Sequence, residues 1–349
     1  MTRRPVRVLY FAGSGRSGTT IINTMLGQVP GAFAAGELRY LWERGAAEDH
    51  RCGCGQPFSS CPTWQAIMEL AGDPGPQEAQ AVADRLRSRL RIARMPLVVA
   101  RRLAGRSPVP PHPDDERIAR LYEAIADHTG AHIIVDSSKL PPYGLLLGAR
   151  PEIDLRVLHV VRDPRATAFS WLRKKPTQDL DTETHMPRIA VGKSSLLWLV
   201  WNLLAAHWWP DERNDVVRFR YEDFAASPRE QMATVVGLMG LDLADLPFVT
   251  DHEVTLAPTH SVAGNPNRHS TGTVRIKADV EWRERMARRQ RAVVTALTAP
   301  GLLRFRYPVR AALAAARPGR HSASGVGAAR STTPAVTTPA TTTPKEREC

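Results

Sequence analysis

A glycine-rich turn between an apolar run and a helix start constrains this 349-residue chain more than any other feature. Val8-Leu-Tyr-Phe-Ala12 reads as a core strand. Gly13, Gly15 and Gly18 break it, and Thr19, Thr20 and Ile21 open an amphipathic helix. Strand, glycine loop and helix amino terminus together make a cradle for a phosphate or sulfate ester. Glycines let backbone N–H groups approach an anion closely, and the first helical turn leaves its own N–H groups without partners. The candidate donors are the backbone from Gly15 through Ser17, Gly18 and Thr19, with the hydroxyls of Thr19 and Thr20. Thr19 stands where a nucleotide triphosphatase carries lysine. The cradle is therefore expected to take a smaller anion than a magnesium-bearing β,γ-diphosphate.

A second segment repeats the logic. Leu155-Arg-Val-Leu-His-Val-Val161 has the pattern of a buried strand, ends in Arg162-Asp-Pro-Arg-Ala166, and leads into a helix that carries Ser170. Arginine offers a planar donor fork to phosphate, and a hydroxyl two helical turns along adds a further donor. With both segments in view, the chain resembles the sulfotransferases that use 3′-phosphoadenosine-5′-phosphosulfate (PAPS). In that family the first loop holds the 5′-phosphosulfate. An Arg-Asp-Pro-Arg strand end, with a serine eight residues after its first arginine, holds the 3′-phosphate. Arg162 and Ser170 match that spacing. The resemblance covers roughly residues 6–45 and 130–300 in motif order. It implies an α/β fold with a P-loop-like parallel sheet flanked by helices, PAPS as co-substrate, and no metal.

The same resemblance directs attention to catalytic groups. Arg16, inside the loop, is the first electrostatic candidate, although taken alone it reads as a surface arginine. Glu37 follows Gly36, 21 residues after Arg16. The protein-tyrosine sulfotransferases show a similar Gly-Glu after the same interval, with the glutamate as proposed base, but continue with another acid where this chain has Leu38-Arg39-Tyr40. Capping or salt-bridging a short helix is the other reading of Glu37. Lys139 lies in Val135-Asp-Ser-Ser-Lys-Leu-Pro141, and related sulfotransferases carry a lysine in the equivalent turn, where its ammonium would meet the leaving oxygen or the sulfonate. Strand carboxyl ends are where open α/β sheets bind ligands. Asp136, Ser137 and Ser138 are expected to shape that turn. From the polar loop His260–Arg268, residues Ser261, Asn265 and Arg268 are lid candidates by analogy with cytosolic sulfotransferases, with Arg275 and Lys277 in reserve. Tyr221 resembles a segment near adenine in the same family, with core packing as its alternative. His159, inside a strand, is expected to be a satisfied core histidine.

A formal net charge of +12 favours anionic partners, but the aromatic residues do not interleave with a basic stripe, so nucleic acid is not expected. Arg85 through Arg106 holds eight arginines among leucines at helical spacing. That block reads as a helix with a solvated basic face, or as an acceptor-docking or membrane-surface helix, so peripheral membrane contact stays open. The most apolar later stretch, Leu196–Trp209, is too short to span a bilayer and is interrupted by Asn202 and His207. With no convincing secretory signal, a cytoplasmic protein is expected. Cys52, Cys54 and Cys61 lie close together beside His50, yet no second Cys pair completes a tetrahedral set. Reduced thiols or a bridge from Cys52 or Cys54 to Cys61 are therefore expected, and no metal.

Further strands are expected at 132–136 and 215–219, and helices at 164–175, 193–208, 228–239 and 279–298. Residues 30–63 read as an active-site loop with a short helix at 38–44, and 64–130 as a helical insert. Residues 1–316 would form the catalytic domain. A Ser/Thr/Pro/Ala-rich tail, 317–349, is expected to be disordered, with Cys349 incidental. The expected activity is sulfuryl transfer from PAPS to a hydroxyl of a glycan, glycolipid, phenolic metabolite or peptide. The rivals are a P-loop kinase acting on a small molecule, which would use Asp136 as a magnesium ligand, and a non-enzymatic polyanion binder.

Overall fold

An unbroken apolar strand needs cover on both faces, and the first strand receives it. Val8, Tyr10 and Ala12 enter one hydrophobic cluster, whereas Leu9 and Phe11 enter another, so each face of the pleat packs into its own core. The structure, a computed structural model, describes residues 3–309 apart from 181 and 183. Its strands in chain order are β1 (Val6–Ala12), β2 (Ala32–Gly36), β3 (Ile133–Lys139), β4 (Ile153–Val161), β5 (Pro176–Thr177), β6 (Thr184–His185), β7 (Val216–Arg220), β8 (Phe248–Thr250), β9 (Glu253–Leu256) and β10 (Gly272–Arg275).

Five of these form a parallel sheet in the order β2-β3-β1-β4-β7. Helices lie between the strands, as an α/β chain with parallel neighbours requires. β1 sits at the centre, so the glycine loop that follows it opens between the ends of β3 and β4. The helix that begins at Thr19 runs to Leu26 and buries Ile22, Met25 and Leu26. Pro164–Leu172 follows β4, and its start is fixed by Asp163, whose side chain accepts from the Arg165 N–H.

Several expectations are corrected. Residues 30–63 contain β2, an edge strand of Ala-Phe-Ala-Ala-Gly, followed by a 3₁₀ turn (Leu38–Tyr40) and a π-helical turn (Leu41–Ala47) in place of one short helix. The helix expected at 279–298 is two, Trp282–Arg285 and Arg288–Leu297, separated by extended backbone at Met286 and Ala287. An antiparallel ladder, β8-β9-β10, brackets the late polar loop. The insert is helical at Pro62–Ala71, Gly75–Leu90, Met95–Leu103 and Asp114–Thr129. Part of its arginine block is tied inward: Arg85 bonds Asp114 at 2.8 Å and Arg89 bonds Asp115 at 2.6 Å. Among the described residues no helix is long and apolar enough to cross a membrane. The expected disordered tail and Cys349 lie outside the described residues.

Candidate active site

Every strand of the parallel sheet delivers a candidate group from its carboxyl end. The glycine loop leaves β1 at Gly13, and Glu37 follows β2. Lys139 ends β3, Arg162 follows β4, and Tyr221 follows β7. All of them line one cleft of about 600 Å³, a size suited to a nucleotide-scale ligand. Arg16, Arg39, Arg44, Lys139 and Arg162 give it positive charge, and Arg173, Lys175, Arg275 and Lys277 add to it. Only Glu37 and Asp279 oppose them among the lining residues. Such a cleft concentrates anions.

The loop itself is held open by its neighbours. Gly13 N–H donates to the Lys139 carbonyl at 3.0 Å, which joins the ends of β1 and β3. The Ser17 hydroxyl donates to the Ser14 carbonyl at 2.9 Å, so that side chain braces the turn instead of facing the cleft. Gly18 has φ +79° and caps the helix; a Cβ there would overlap the Tyr221 ring. The aromatic ring thus packs on the loop because position 18 has no side chain. Arg16 stacks 4.5 Å over the Trp171 ring, next to Ser170 on the same helix. Burial lowers the Arg16 guanidinium to about 10, with Arg173 and Arg162 adding to the effect against Glu37.

Arg162 links the segment after β4 to the glycine loop. One nitrogen donates to the Arg16 carbonyl at 3.1 Å and another to Asp279 at 3.0 Å, and its guanidinium lies 4.8 Å over the Tyr221 ring. Asp279 also bonds Arg173 at 3.2 Å. The Nε atoms of both Arg16 and Arg162 are buried without a protein partner. The second arginine of the Arg-Asp-Pro-Arg segment does something else. Arg165 is buried against Asp163 and under Trp282, so it builds the helix start.

Glu37 and Lys139 form an ion pair at 2.7 Å. Lys139 Nζ also donates to the Ser137 carbonyl at 2.7 Å. Burial alone would raise the Glu37 carboxyl, but the Lys139 ammonium, helped by Arg39 and Arg44, holds it below its ordinary value. Beneath this pair Asp136 is fully buried. It accepts from the Tyr122 hydroxyl at 2.6 Å, from the Ser138 N–H at 2.9 Å and from the Leu38 N–H at 3.4 Å. Burial pushes its carboxyl up to about 6, against those hydrogen bonds. Asp136 therefore organises the ends of β2 and β3, and its oxygens are not turned to the cleft.

The sequence model of the sulfotransferase family matches residues 9–245, about two thirds of the chain. The chain belongs to the sulfotransferase family. No curated protein matches it significantly. Among solved structures it is similar to the sulfotransferase domain of the Synechococcus PCC 7002 olefin synthase, at 18% identity and a TM-score of 0.47, covering 86% of this chain and 96% of that one. The sulfotransferase domain from the curacin biosynthetic pathway gives 14% identity and 0.48, over 88% and 99%. A sulfotransferase from Alicyclobacillus acidocaldarius gives 14% and 0.37, over 87% and 95%.

In this sulfotransferase the sequence-derived residues divide cleanly. Gly15, Arg16, Gly18, Thr19, Thr20, Glu37, Lys139, Arg162, Ser170, Tyr221 and Asn265 line the common cleft. Ser261 and Arg268, expected in a lid, do not. Arg268 is buried, ion-paired with Asp179, and donates to the Ser261 carbonyl at 2.7 Å and the Arg51 carbonyl at 2.7 Å. A buried cation needs such partners, and here they turn it away from ligand and into the loop's support. Arg275 and Lys277, the reserves, do line the cleft. His159 is buried between Asn202 and Arg218, and burial lowers it to about 3. Sequence reasoning missed Lys175, Arg173 and Asp279. Lys175 Nζ bonds the side-chain oxygens of Asn265 at 2.7 Å and Asn267 at 2.6 Å, and burial lowers it to about 8. A lysine within Arg173-Lys-Lys175, just past a helix end, carried no signal that distinguishes it from surface charge.

Proposed function

We propose that this sulfotransferase uses PAPS as donor and a hydroxyl compound as acceptor. One observation carries the reading: the glycine loop and Arg162 share a single cleft with the Glu37–Lys139 pair. PAPS, when bound, supplies an activated sulfuryl group on a phosphate leaving group. The loop backbone at Gly15, Arg16, Gly18 and Thr19 would hold its 5′ end, and Arg162 with Ser170 its 3′-phosphate. The Tyr221 ring, packed on Gly18 and beneath the Arg162 guanidinium, borders both.

Glu37 serves as general base toward the acceptor hydroxyl. Its depressed pKa keeps it ionised at neutral pH, which is the form a base requires. Lys139 shields that carboxylate in the present arrangement. An anion that draws Nζ toward itself removes the largest cationic influence on Glu37 and makes it a stronger base, so proton acceptance and charge stabilisation are coupled through one ion pair. Tyr40, flanked by Arg39 and Arg44 at 3.7 and 4.3 Å, forms a cationic–aromatic wall close to Glu37 on which an acceptor ring or acidic group would rest. The kinase reading loses ground on Asp136, whose carboxylate is consumed by Tyr122, Ser138 and Leu38.

The test is incubation of the purified full chain with radiolabelled PAPS and a host small-molecule extract, alongside Arg162→Ala and Lys139→Ala. A labelled product made by wild type and lost in both folded variants is expected. Stabilisation by ATP with magnesium but not by adenosine 3′,5′-bisphosphate in a thermal-shift assay would refute the reading.

A further inference from the structure

The loop after the π-helical turn, residues 48–61, carries Cys52, Cys54 and Cys61, and the fold brings a fourth ligand to them from nearly two hundred residues away. Cys52, Cys54, Cys61 and His260 place their ligating atoms within 4.8 Å of one another. Three of the six separations can be set directly against the edges of a tetrahedron. Zinc–sulfur bonds of about 2.3 Å and zinc–nitrogen bonds of about 2.0–2.1 Å give edges of about 3.8 Å between sulfurs and about 3.6 Å from sulfur to nitrogen. Cys54 Sγ lies 3.8 Å from Cys61 Sγ, Cys52 Sγ 3.7 Å from His260 Nδ1, and Cys61 Sγ 3.3 Å from the same nitrogen. The sulfurs of Cys54 and Cys61 are far beyond the roughly 2.05 Å of a disulfide. Any single bridge among three cysteines would also strand the third.

The surroundings are built for an ion. Cys52 and Cys61 are fully buried. His260 turns Nε2 to the Thr63 hydroxyl at 3.3 Å, which leaves Nδ1 facing the sulfurs, and its carbonyl accepts from the Trp64 indole at 2.8 Å. Gly53 lets the two segments meet: its N–H donates to the Ser261 carbonyl at 2.9 Å, and a Cβ there would lie 2.5 Å from the Thr259 carbonyl. Apart from a bridge between Arg51 and Pro57 and a 3₁₀ turn at Phe58–Ser60, the loop has no regular structure to hold it.

We propose that Cys52, Cys54, Cys61 and His260 bind one structural Zn²⁺ in a closed Cys₃His site. Four protein ligands leave no open position, so the ion is a staple and takes no part in group transfer. Binding converts the thiols to thiolates with release of their protons and keeps the imidazole neutral. What it staples reaches the active site. The segment after His260 pairs with the end of β2, where Val262 N–H donates to the Ala35 carbonyl at 2.9 Å and Glu37 N–H to the Ala263 carbonyl at 3.2 Å. Zinc would thus fix the backbone that presents Glu37.

Metal analysis of the full chain, purified under reducing conditions from zinc-supplemented expression, tests this. One zinc per chain is expected, and His260→Ala and Cys61→Ser should each lose most of it. His260→Cys, which restores four ligands, should retain zinc and guards against a misfolded alanine variant. Replacement of the zinc by Co²⁺ should give the visible bands and thiolate charge transfer of a tetrahedral cobalt thiolate. Zinc-free folded protein, zinc retained in both ligand-removal variants, or a Cys54–Cys61 disulfide found by mass would each overturn the proposal. None of these readouts depends on sulfuryl transfer, and a Glu37→Gln variant should hold zinc as wild type does.

Discussion

Asp279 neutralises the arginine that is proposed to hold the donor's 3′-phosphate, so removing its charge should tighten donor binding. Its carboxylate lies 3.0 Å from Arg162 and 3.2 Å from Arg173. Phosphate entering there must displace or share both guanidinium groups. Charges about 4 Å apart attract by about 4 kcal/mol gross at an effective dielectric constant of 20. Exposed pairs return only ~0.2–1 kcal/mol net. The Arg162 side chain is 7% exposed and that of Asp279 30%, so this pair falls between those limits, at about 1–2 kcal/mol. Asp279→Asn keeps the shape and should lower the Kd for adenosine 3′,5′-bisphosphate by roughly 5–30-fold, measured by titration calorimetry. Arg162→Ala should raise it by about 10–150-fold, the worth of a charge-assisted hydrogen bond. In the Arg162→Ala background the gain from Asp279→Asn should shrink, because its principal partner is gone. Added salt should compress the difference between wild type and the Asp279→Asn variant. An unchanged or weaker Kd in Asp279→Asn would refute the competition argument and make Asp279 a positioning group for Arg162.

Three further outcomes follow from the cleft. Glu37→Gln should cut kcat by about 10²–10⁴ while leaving bisphosphate affinity within a few-fold, and wild-type kcat/KM should show no acid limb until pH falls below the ordinary carboxylate value of 4.5. The sign follows from the depressed pKa: the base form is present above it and is lost only as pH drops through it. Lys175 is cationic below about 8, so bisphosphate affinity should weaken as pH rises through that value, and Lys175→Arg should flatten the profile in the same calorimetric assay. Gly18→Ala should cost about 1–3 kcal/mol through its positive φ and the overlap with Tyr221, seen as a Tm several degrees lower, and Tyr221→Ala should recover part of that loss.

What could be read from the sequence was local: a strand, a break, and a chemistry-bearing residue at the break. That pattern located the β1 loop, Lys139 and Arg162, because apolar runs and glycine or proline signals occupy adjacent positions. β2 escaped since Ala-Phe-Ala-Ala-Gly has little strand propensity, and its place beside β3 is a tertiary choice. Arg268 misled for a related reason. An arginine in a polar loop looks like a ligand contact until its partner Asp179, some ninety residues away, is seen to bury it. Likewise three clustered cysteines looked incomplete because His260 approaches only through folding. Charge partners and metal ligands distant in sequence leave no spacing to read.

Backbone strain points to the same cleft as the charges. Among the described residues four non-glycine positions adopt positive φ, and two of them are Arg16 (68°) and Lys139 (67°). Each such conformation costs of order 1–3 kcal/mol and persists only where its surroundings enforce it. Here the enforcement is mutual. Gly13 N–H holds the Lys139 carbonyl, Arg162 holds the Arg16 carbonyl, and Glu37 and the Ser137 carbonyl fix the Lys139 ammonium. Neither residue could relax to ordinary geometry without breaking a hydrogen bond to a different strand end. The ends of β1, β2, β3 and β4 are therefore tied into one unit, whose geometry is set before any ligand arrives. The backbone of the site is thus preorganised, and what a ligand must change is confined to two side-chain pairings, Lys139 with Glu37 and Arg162 with Asp279.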